Sequence, residues 1–129
     1  MHSLVLAWAG GEHPFRLRLG ELEGLQQKTD CGPEFLLNKI NFGQWSVTDL
    51  FETIRFGLIG GGMADGEAVK LTRNTFERHP LIDFKIPAQA ILGAALYGPP
   101  DDVVGENGPV AAAPGKQKTA DGNSADFTG

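Results

Sequence analysis

The glycine-rich residues 57–62 have the composition that most resembles a reactive site, because glycine-rich loops bind phosphate groups through their backbone amides. A phosphate loop, however, follows a strand, opens a helix and ends in Gly-Lys-Ser or Gly-Lys-Thr. Here the glycines follow an amphipathic helical pattern, and the sequence contains no such tripeptide. The run therefore predicts the end of a helix and a joint in which at least one glycine has a positive φ.

The residues that could act as nucleophiles, bases or metal ligands are few and scattered. The histidines stand at positions 2, 13 and 79, so no pair has the short spacing of a metal site. The single cysteine, Cys31, has no base near it in the sequence and is interpreted as a small packed residue. Glu21 and Glu23 fall on different sides of a predicted helix and are expected to be solvated. We therefore predict no catalytic residue, no metal, no cofactor and no enzymatic activity.

Two aromatic side chains are candidates for binding a protein partner. Phe56 lies opposite the apolar stripe of a predicted helix, among Asp49 and Glu52, by the 100° per residue of an α-helix. Trp45 precedes the same helix. Because exposed aromatic residues mark interfaces, we predict Trp45 and Phe56 as partner-binding residues. Two alternatives are left open: another element covers Phe56, and Trp45 packs on its own helix as a hydrophobic staple.

The bulk properties describe one small protein. The chain has 129 residues, 41% of them hydrophobic, which suffices for a single core. The formal net charge of −5 gives no basic field for nucleic acid, and one cysteine fits a reducing cytoplasm. No apolar stretch reaches the roughly 20 residues that cross a membrane, and the start lacks the basic residues of a signal peptide. We predict a cytoplasmic protein with neither nucleic-acid nor membrane partners.

A change of composition divides the chain at Gly98. Residues 98–129 are rich in Gly, Pro and Ala and contain a single aromatic residue, Phe127. They cannot bury enough apolar surface to offset the entropy of ordering. Their carboxylates also outnumber their lysines. We predict a single compact domain over residues 1–97 and a disordered, acidic tail over residues 98–129.

The remaining patterns supply the elements that would position the candidate residues. Alternating apolar residues at 4–8 and 15–19, with glycine and proline between them, predict a β-hairpin. Helical spacing and stop signals predict five helices, near 20–29, 33–40, 46–60, 65–78 and 87–97, the last with one side of small residues. Gly32 is assigned to a left-handed helix cap, and Phe35 to the apolar side of the second helix. The predicted fold class is α+β and mostly helical: an N-terminal β-hairpin, about five short helices and a disordered C-terminal tail.

Several stretches resemble the tail-assembly chaperone family of gene transfer agents and related long-tailed phages, also described as tail tube associated proteins. They are Leu-Gln-Gln-Lys-Thr-Asp-Cys-Gly-Pro at 25–33, Ile-Arg-Phe-Gly-Leu-Ile-Gly-Gly-Gly-Met at 54–63, and the predicted helix over 88–96. The resemblance extends from about residue 15 to residue 98, and the glycine run is its most specific part.

This resemblance implies a non-enzymatic role in building a long, non-contractile tail. The implied partners are the tape-measure protein and tail tube subunits, bound in the cytoplasm before assembly. The family brings no catalytic motif. The alternative is a structural component of the finished tail, of the tube or tail-terminator type, although tube subunits are usually rich in β-structure. Self-association into a homo-oligomer is also left open.

Overall fold

The computed structural model describes residues 3–98. In this part of the chain a β-hairpin is followed by five α-helices, as predicted, with one short 3₁₀ helix before the last. The elements are β1 (Leu4–Trp8), β2 (Gly11–Phe15), α1 (Leu19–Thr29), α2 (Pro33–Asn41), α3 (Val47–Gly60), α4 (Asp65–Arg78), the 3₁₀ helix (Leu81–Phe84) and α5 (Lys85–Tyr97). The disorder predicted for the tail concerns residues that, beyond Gly98, lie outside the described part.

The hairpin is antiparallel and closes through a two-residue turn, so that Trp8 lies opposite Gly11. The predicted second strand over residues 15–19 is wrong. The strand β2 begins at Gly11, whose φ of 121° is a conformation that few residues other than glycine adopt. Phe15 and Leu17 are buried, but Leu19 is exposed and opens α1. The alternation of apolar residues at positions 15, 17 and 19 therefore continues past the end of β2.

Helix α3 lies at the centre of the fold and contacts α1, α4, α5 and β2. Its start is fixed by a capping box. The backbone N–H of Asp49 donates to Oγ of Ser46 at 3.1 Å, and the backbone N–H of Ser46 donates to Oδ2 of Asp49 at 2.8 Å. Leu50, Ile54 and Leu58 are buried at helical spacing along its length. The predicted helix start and apolar stripe are confirmed.

Asp49 also joins α2 to α3. Its side chain is 1% exposed, and its Oδ2 lies 2.9 Å from Nζ of Lys39 on α2. The hydrogen bond to Asp49 raises the pKa of Lys39. The side of α3 that carries Asp49 is therefore covered by α2.

Asp30 and Gly62 have positive φ near the ends of α1 and α3. At the end of α1 the left-handed conformation belongs to Asp30, with φ of 59°, and not to Gly32 as predicted. Gly32 is extended and precedes α2, because Pro33 disfavours helical geometry in the residue before it. In the run 57–62, Gly62 has the predicted positive φ, at 120°.

The other two glycines of the joint serve a different purpose. A Cβ at Gly60 would lie 1.8 Å from the carbonyl oxygen of Arg16, and a Cβ at Gly61 would lie 2.0 Å from that of Pro14. Real Cβ atoms do not approach other atoms so closely. The backbone N–H of Arg16 also donates to the carbonyl oxygen of Gly57 at 3.0 Å. Gly60 and Gly61 therefore form the hairpin seat, where the backbone of β2 and the residues after it rest on the end of α3.

The core of the described part is continuous and draws on both strands of the hairpin and all the helices. Phe84 is fully buried, its ring lies 3.9 Å from that of Phe76 on α4, and the ring of Trp8 meets it edge-on at 6.2 Å. Other fully buried apolar residues are Phe15, Leu25, Leu36, Ile40, Leu50, Ile54, Leu58, Ile91 and Leu92. The helices thus cover the inner face of a hairpin that would be marginal alone.

Glu21 is buried, so its predicted solvation is wrong. Its carboxylate accepts hydrogen bonds from the backbone N–H, Nε and Nη2 of Arg18, at 2.8 to 2.9 Å. The hydrogen bonds from the Arg18 side chain are the main reason that the pKa of Glu21 is lowered. Glu23, two residues later, is exposed as predicted.

We expect Glu21 to give the protein an acid-sensitive part of its stability. Because its pKa is lower in the folded state than in the unfolded state, its contribution is complete above the ordinary glutamate pKa of about 4.3. It is lost as the pH falls through the folded value. Glu21→Gln should therefore be less stable than wild type at pH 7, and the two should converge in acid. Urea unfolding of both proteins between neutral and acid pH measures the difference in their free energies of unfolding. A difference that stays constant down to the lowest pH would contradict the contribution assigned to Glu21.

Candidate partner-binding surface

Phe56 packs within the protein over part of its ring. It lies on α3 against α1, where a Cβ at Gly24 would come within 2.7 Å of the ring, so Gly24 is small because Phe56 covers it. The guanidinium of Arg55 lies 4.3 Å from the centre of the same ring. Arg55 is held by Glu52 at 2.6 Å and by Asp65 at 2.9 Å. Phe56 is partly buried. The charged residues around it are paired with one another, because Arg55 binds both Glu52 and Asp65.

Trp45 lies in the loop between α2 and α3 and is also partly buried against the core. It precedes the helix, whereas Phe56 lies about 14 Å along the helix axis from Val47, the first residue of α3. The structure therefore does not bring the two predicted partner-binding residues together. Each retains an exposed part, and a role for either in binding stays a prediction.

The most exposed large apolar side chains on the last helix were not recognised in the sequence. Ile86 is 74% exposed and Tyr97 is 73% exposed. At 100° per residue, Ala90 and Gly93 fall within about 40° of them on the same side of α5. A Cβ at Gly93 would meet nothing within 4 Å. The outer side of α5 is therefore a shallow channel of small residues with a large apolar residue at each end.

Helix α2 extends this apolar area. It packs beside α5, and Nε2 of Gln89 donates to Oδ1 of Asn41 at 2.8 Å across the surface between them. Phe42, directly after Asn41, is 77% exposed, and Phe35 is exposed one helix length earlier. The assignment of Phe35 to the apolar core side is wrong, because Leu36, Leu37 and Ile40 already occupy that side. We use the name α2–α5 surface for four exposed residues and two partly exposed small residues on or directly after these two helices: Phe35, Phe42, Ile86 and Tyr97, with Ala90 and Gly93.

The α5 part of the α2–α5 surface is nearly free of charge, whereas α2 carries Glu34 and Lys39. Lys85 is the only charged residue of α5, and residues 86–98 contain none. A helix that is apolar on every side is normally covered by other structure. The sequence indicates an apolar last helix, because residues 86–98 carry no charge. Whether its apolar residues are exposed depends on which side of the helix meets the core.

The described residues offer little that suggests chemistry or membrane insertion. Among residues 3–98 no three side chains of His, Cys, Asp or Glu come together to hold a metal ion. Within the same span, no helix combines the length and the apolarity that a membrane crossing requires. Cys31 is buried, and its Sγ lies 3.3 Å from the carbonyl oxygen of Thr29. The apolar α2–α5 surface is the most distinctive exposed feature of residues 3–98.

The fold and this surface define a small, mostly helical α+β protein with an apolar face available to another protein. Residues 2–98 match the family described as phage tail tube protein, GTA-gp10, and the chain belongs to this family. The resemblance to gene transfer agent and phage tail proteins is confirmed at this level, and the chain has a tail-related role. No curated protein and no solved structure matches the chain.

Proposed function

We propose that this protein is a tail assembly chaperone that binds the tape-measure protein in the cytoplasm while the tail is built. The observation that supports this function best is the α2–α5 surface. It exposes Ile86, Tyr97 and Phe42 by about three quarters each, and residues 86–98, which include nearly all of α5, carry no charge. An exposed apolar area of this kind favours association with another protein. Membership of a tail protein family favours partners among the components of a tail.

The shape of the surface favours a helical partner. Ile86 and Tyr97 are three turns apart, about 16 Å along α5. Ala90 and Gly93 between them allow a second helix to approach closely, while the two large residues would flank it. A tape-measure helix with apolar residues at i, i+4, i+7 and i+11 would fill this channel. Tail tube subunits are a further proposed partner. The exposed edges of Trp45 and Phe56 are proposed as secondary contacts.

The test is co-purification of the full chain with the tape-measure protein of the same particle. Ile86→Glu combined with Tyr97→Glu should weaken binding at least about tenfold, because a partner would have to bury two carboxylates without counter-ions. Both side chains are largely exposed in the free protein, so the melting temperature should stay close to wild type. Asn74→Glu with Gln27→Glu, on exposed positions of α4 and α1, adds the same charge elsewhere and should bind normally. Equal binding by both double variants would contradict the proposed surface.

A second candidate function has one observation in its favour. The family is described as a tail tube protein, which favours a structural component that stays in the finished tail. Against it, residues 3–98 contain only one two-stranded sheet, whereas tube subunits are usually rich in β-structure. Quantitative mass spectrometry of purified particles separates the two functions. A chaperone should be absent or present well below tube stoichiometry, and a structural subunit should be present in fixed ratio to the other tail proteins.

A further inference from the structure

The strand β1 has a free edge. The sheet of the described residues has two strands, so one side of β1 pairs with β2 and the other has no strand beside it. Its sequence, Leu-Val-Leu-Ala-Trp, contains no charge and no proline. Val5 is 60% exposed, and Ala7 is exposed as well. Natural proteins usually protect such an edge with lysine, proline or a bulge, because it attracts other strands. Here none of these is present.

The pairing register determines which backbone groups point outward. In an antiparallel pair, opposite residues alternate between hydrogen-bonded and non-hydrogen-bonded. Trp8 and Gly11 flank a two-residue turn and form a hydrogen-bonded pair. Val5 and Ala7 therefore belong to non-hydrogen-bonded pairs, and their N–H and C=O groups point away from β2. Pro14, opposite Val5, fits this assignment because it has no N–H to donate.

The opposite edge of the hairpin is closed. Pro14 cannot donate a hydrogen bond there, and its carbonyl oxygen lies against Gly61 of the hairpin seat. The N–H of Arg16, just after β2, is used by Gly57. Within residues 3–98 no comparable hydrogen bond from another element reaches Val5 or Ala7. A further strand can therefore join this sheet only along β1.

We propose that the free edge of β1 binds the same edge of a second copy of this chain, antiparallel, about a two-fold axis at Leu6. In this register Val5 lies opposite Ala7 of the partner subunit, and both outward-pointing pairs of N–H and C=O groups meet their complements. Leu6 faces Leu6 of the partner subunit, and Trp8 faces the partner's Leu4. Because β1 carries no charge, no like charges are brought together.

The strength of this contact follows from its size. Two five-residue strands bury less than the roughly 1,200 Å² of a standard stable interface, so the dimer should be weak and dependent on concentration. It would nevertheless convert two two-stranded hairpins into one four-stranded sheet. Leu4, Leu6 and Trp8, which are only partly buried in one copy, would be covered further by the partner. This contact is separate from the α2–α5 surface, and neither depends on the other.

The first experiment measures the dimer by sedimentation equilibrium of the full chain from low micromolar to millimolar concentration. Wild type should shift from monomer to dimer. Ala7→Pro removes one outward-pointing N–H and should raise the dimer Kd at least about tenfold, while the pairing with β2 does not use that N–H. Ala7→Ser keeps the N–H and should behave as wild type. A wild-type chain that is monomeric over the whole range, or an unchanged Kd in Ala7→Pro, would overturn the proposal.

The second experiment tests the register and does not depend on a proline variant. In a Cys31→Ala background, Leu6→Cys places two sulfurs across the two-fold axis in a non-hydrogen-bonded pair, with Cα atoms about 4.5 Å apart, which suits a disulfide. Val5→Cys places its two Cα atoms about 8 Å apart, beyond that reach. Mild oxidation should cross-link the first variant and leave the second mostly monomeric. Equal cross-linking of both, or of neither, would show that this edge does not pair as proposed.

Discussion

Alanine at Gly60 or Gly61 is expected to separate the hairpin from α3 and to lower the free energy of unfolding by about 3 kcal/mol or more. The new Cβ would stand 1.8 Å from the carbonyl oxygen of Arg16 or 2.0 Å from that of Pro14. Both obstacles are backbone atoms, one of Pro14 within β2 and one of Arg16 directly after it, so no rotamer change relieves the overlap. The hairpin must move as a whole, and the packing of its inner face is lost with it.

Two matched glycine variants distinguish the steric overlap of the new Cβ from other effects of a glycine-to-alanine substitution. Gly66→Ala on α4 meets nothing within 4 Å, and it should leave stability unchanged or raise it by up to about 1 kcal/mol, as expected for a helical glycine. Gly62→Ala meets no neighbour either but has a φ of 120°, so its loss should be about 1 kcal/mol, from backbone strain alone. Urea unfolding of the four variants gives the order. Stability equal to wild type in Gly60→Ala and Gly61→Ala would mean that the hairpin does not rest on these residues.

Asp49→Ala is expected to cost about 2 to 4 kcal/mol, the second largest effect of a single substitution considered for this protein. The carboxylate is 1% exposed and caps α3 through the backbone N–H of Ser46 at 2.8 Å. The same oxygen, Oδ2, also holds Nζ of Lys39 at 2.9 Å. Its removal therefore leaves a helix end without its cap and the Lys39 ammonium without its partner.

A double-mutant cycle with Lys39→Met distinguishes the ion pair from the cap. Methionine keeps the length and apolar stem of Lys39 but not its charge, so Asp49→Ala should cost less in the Lys39→Met background than in wild type. Ser46→Ala, which removes only the hydroxyl of the capping box, should cost about 1 kcal/mol. Strictly additive losses of Asp49→Ala and Lys39→Met would show that the two side chains are not coupled.

The helices with strong local signals could be predicted from the sequence. Helix α3 begins where Ser46 and Asp49 form a capping box, and α4 ends just before Pro80. At both places the helix boundary indicated by the apolar periodicity coincides with a helix start or stop residue. The hairpin was located, but its second strand was not. Leu17 and Leu19 prolong the alternation of β2, and only tertiary contacts show that Leu19 is exposed and begins a helix.

Burial of charged residues and exposure of apolar ones could not be predicted in the same way. Glu21 is buried because Arg18, three residues earlier, supplies its partner, and Asp49 because Lys39 reaches it from another helix. Phe35 is exposed because α2 has only one side towards the core. Prediction of the partner-binding residues likewise requires knowing which sides of the helices are covered. The sequence pattern indicates Phe56 because it lies outside the apolar stripe of α3 and Trp45 because it precedes that helix, whereas the α2–α5 surface depends on which side of α5 is left uncovered.

The hairpin seat has a consequence for the order of events during synthesis on the ribosome. The hairpin is translated before α3, and Gly57, Gly60 and Gly61, on which it rests, are added more than forty residues later. A two-stranded hairpin is marginal by itself, and contacts so distant in sequence form slowly. The two strands must therefore wait for the end of α3 to emerge before they are held in place, so a segment that leaves the exit tunnel ahead of the helices is among the last to become protected.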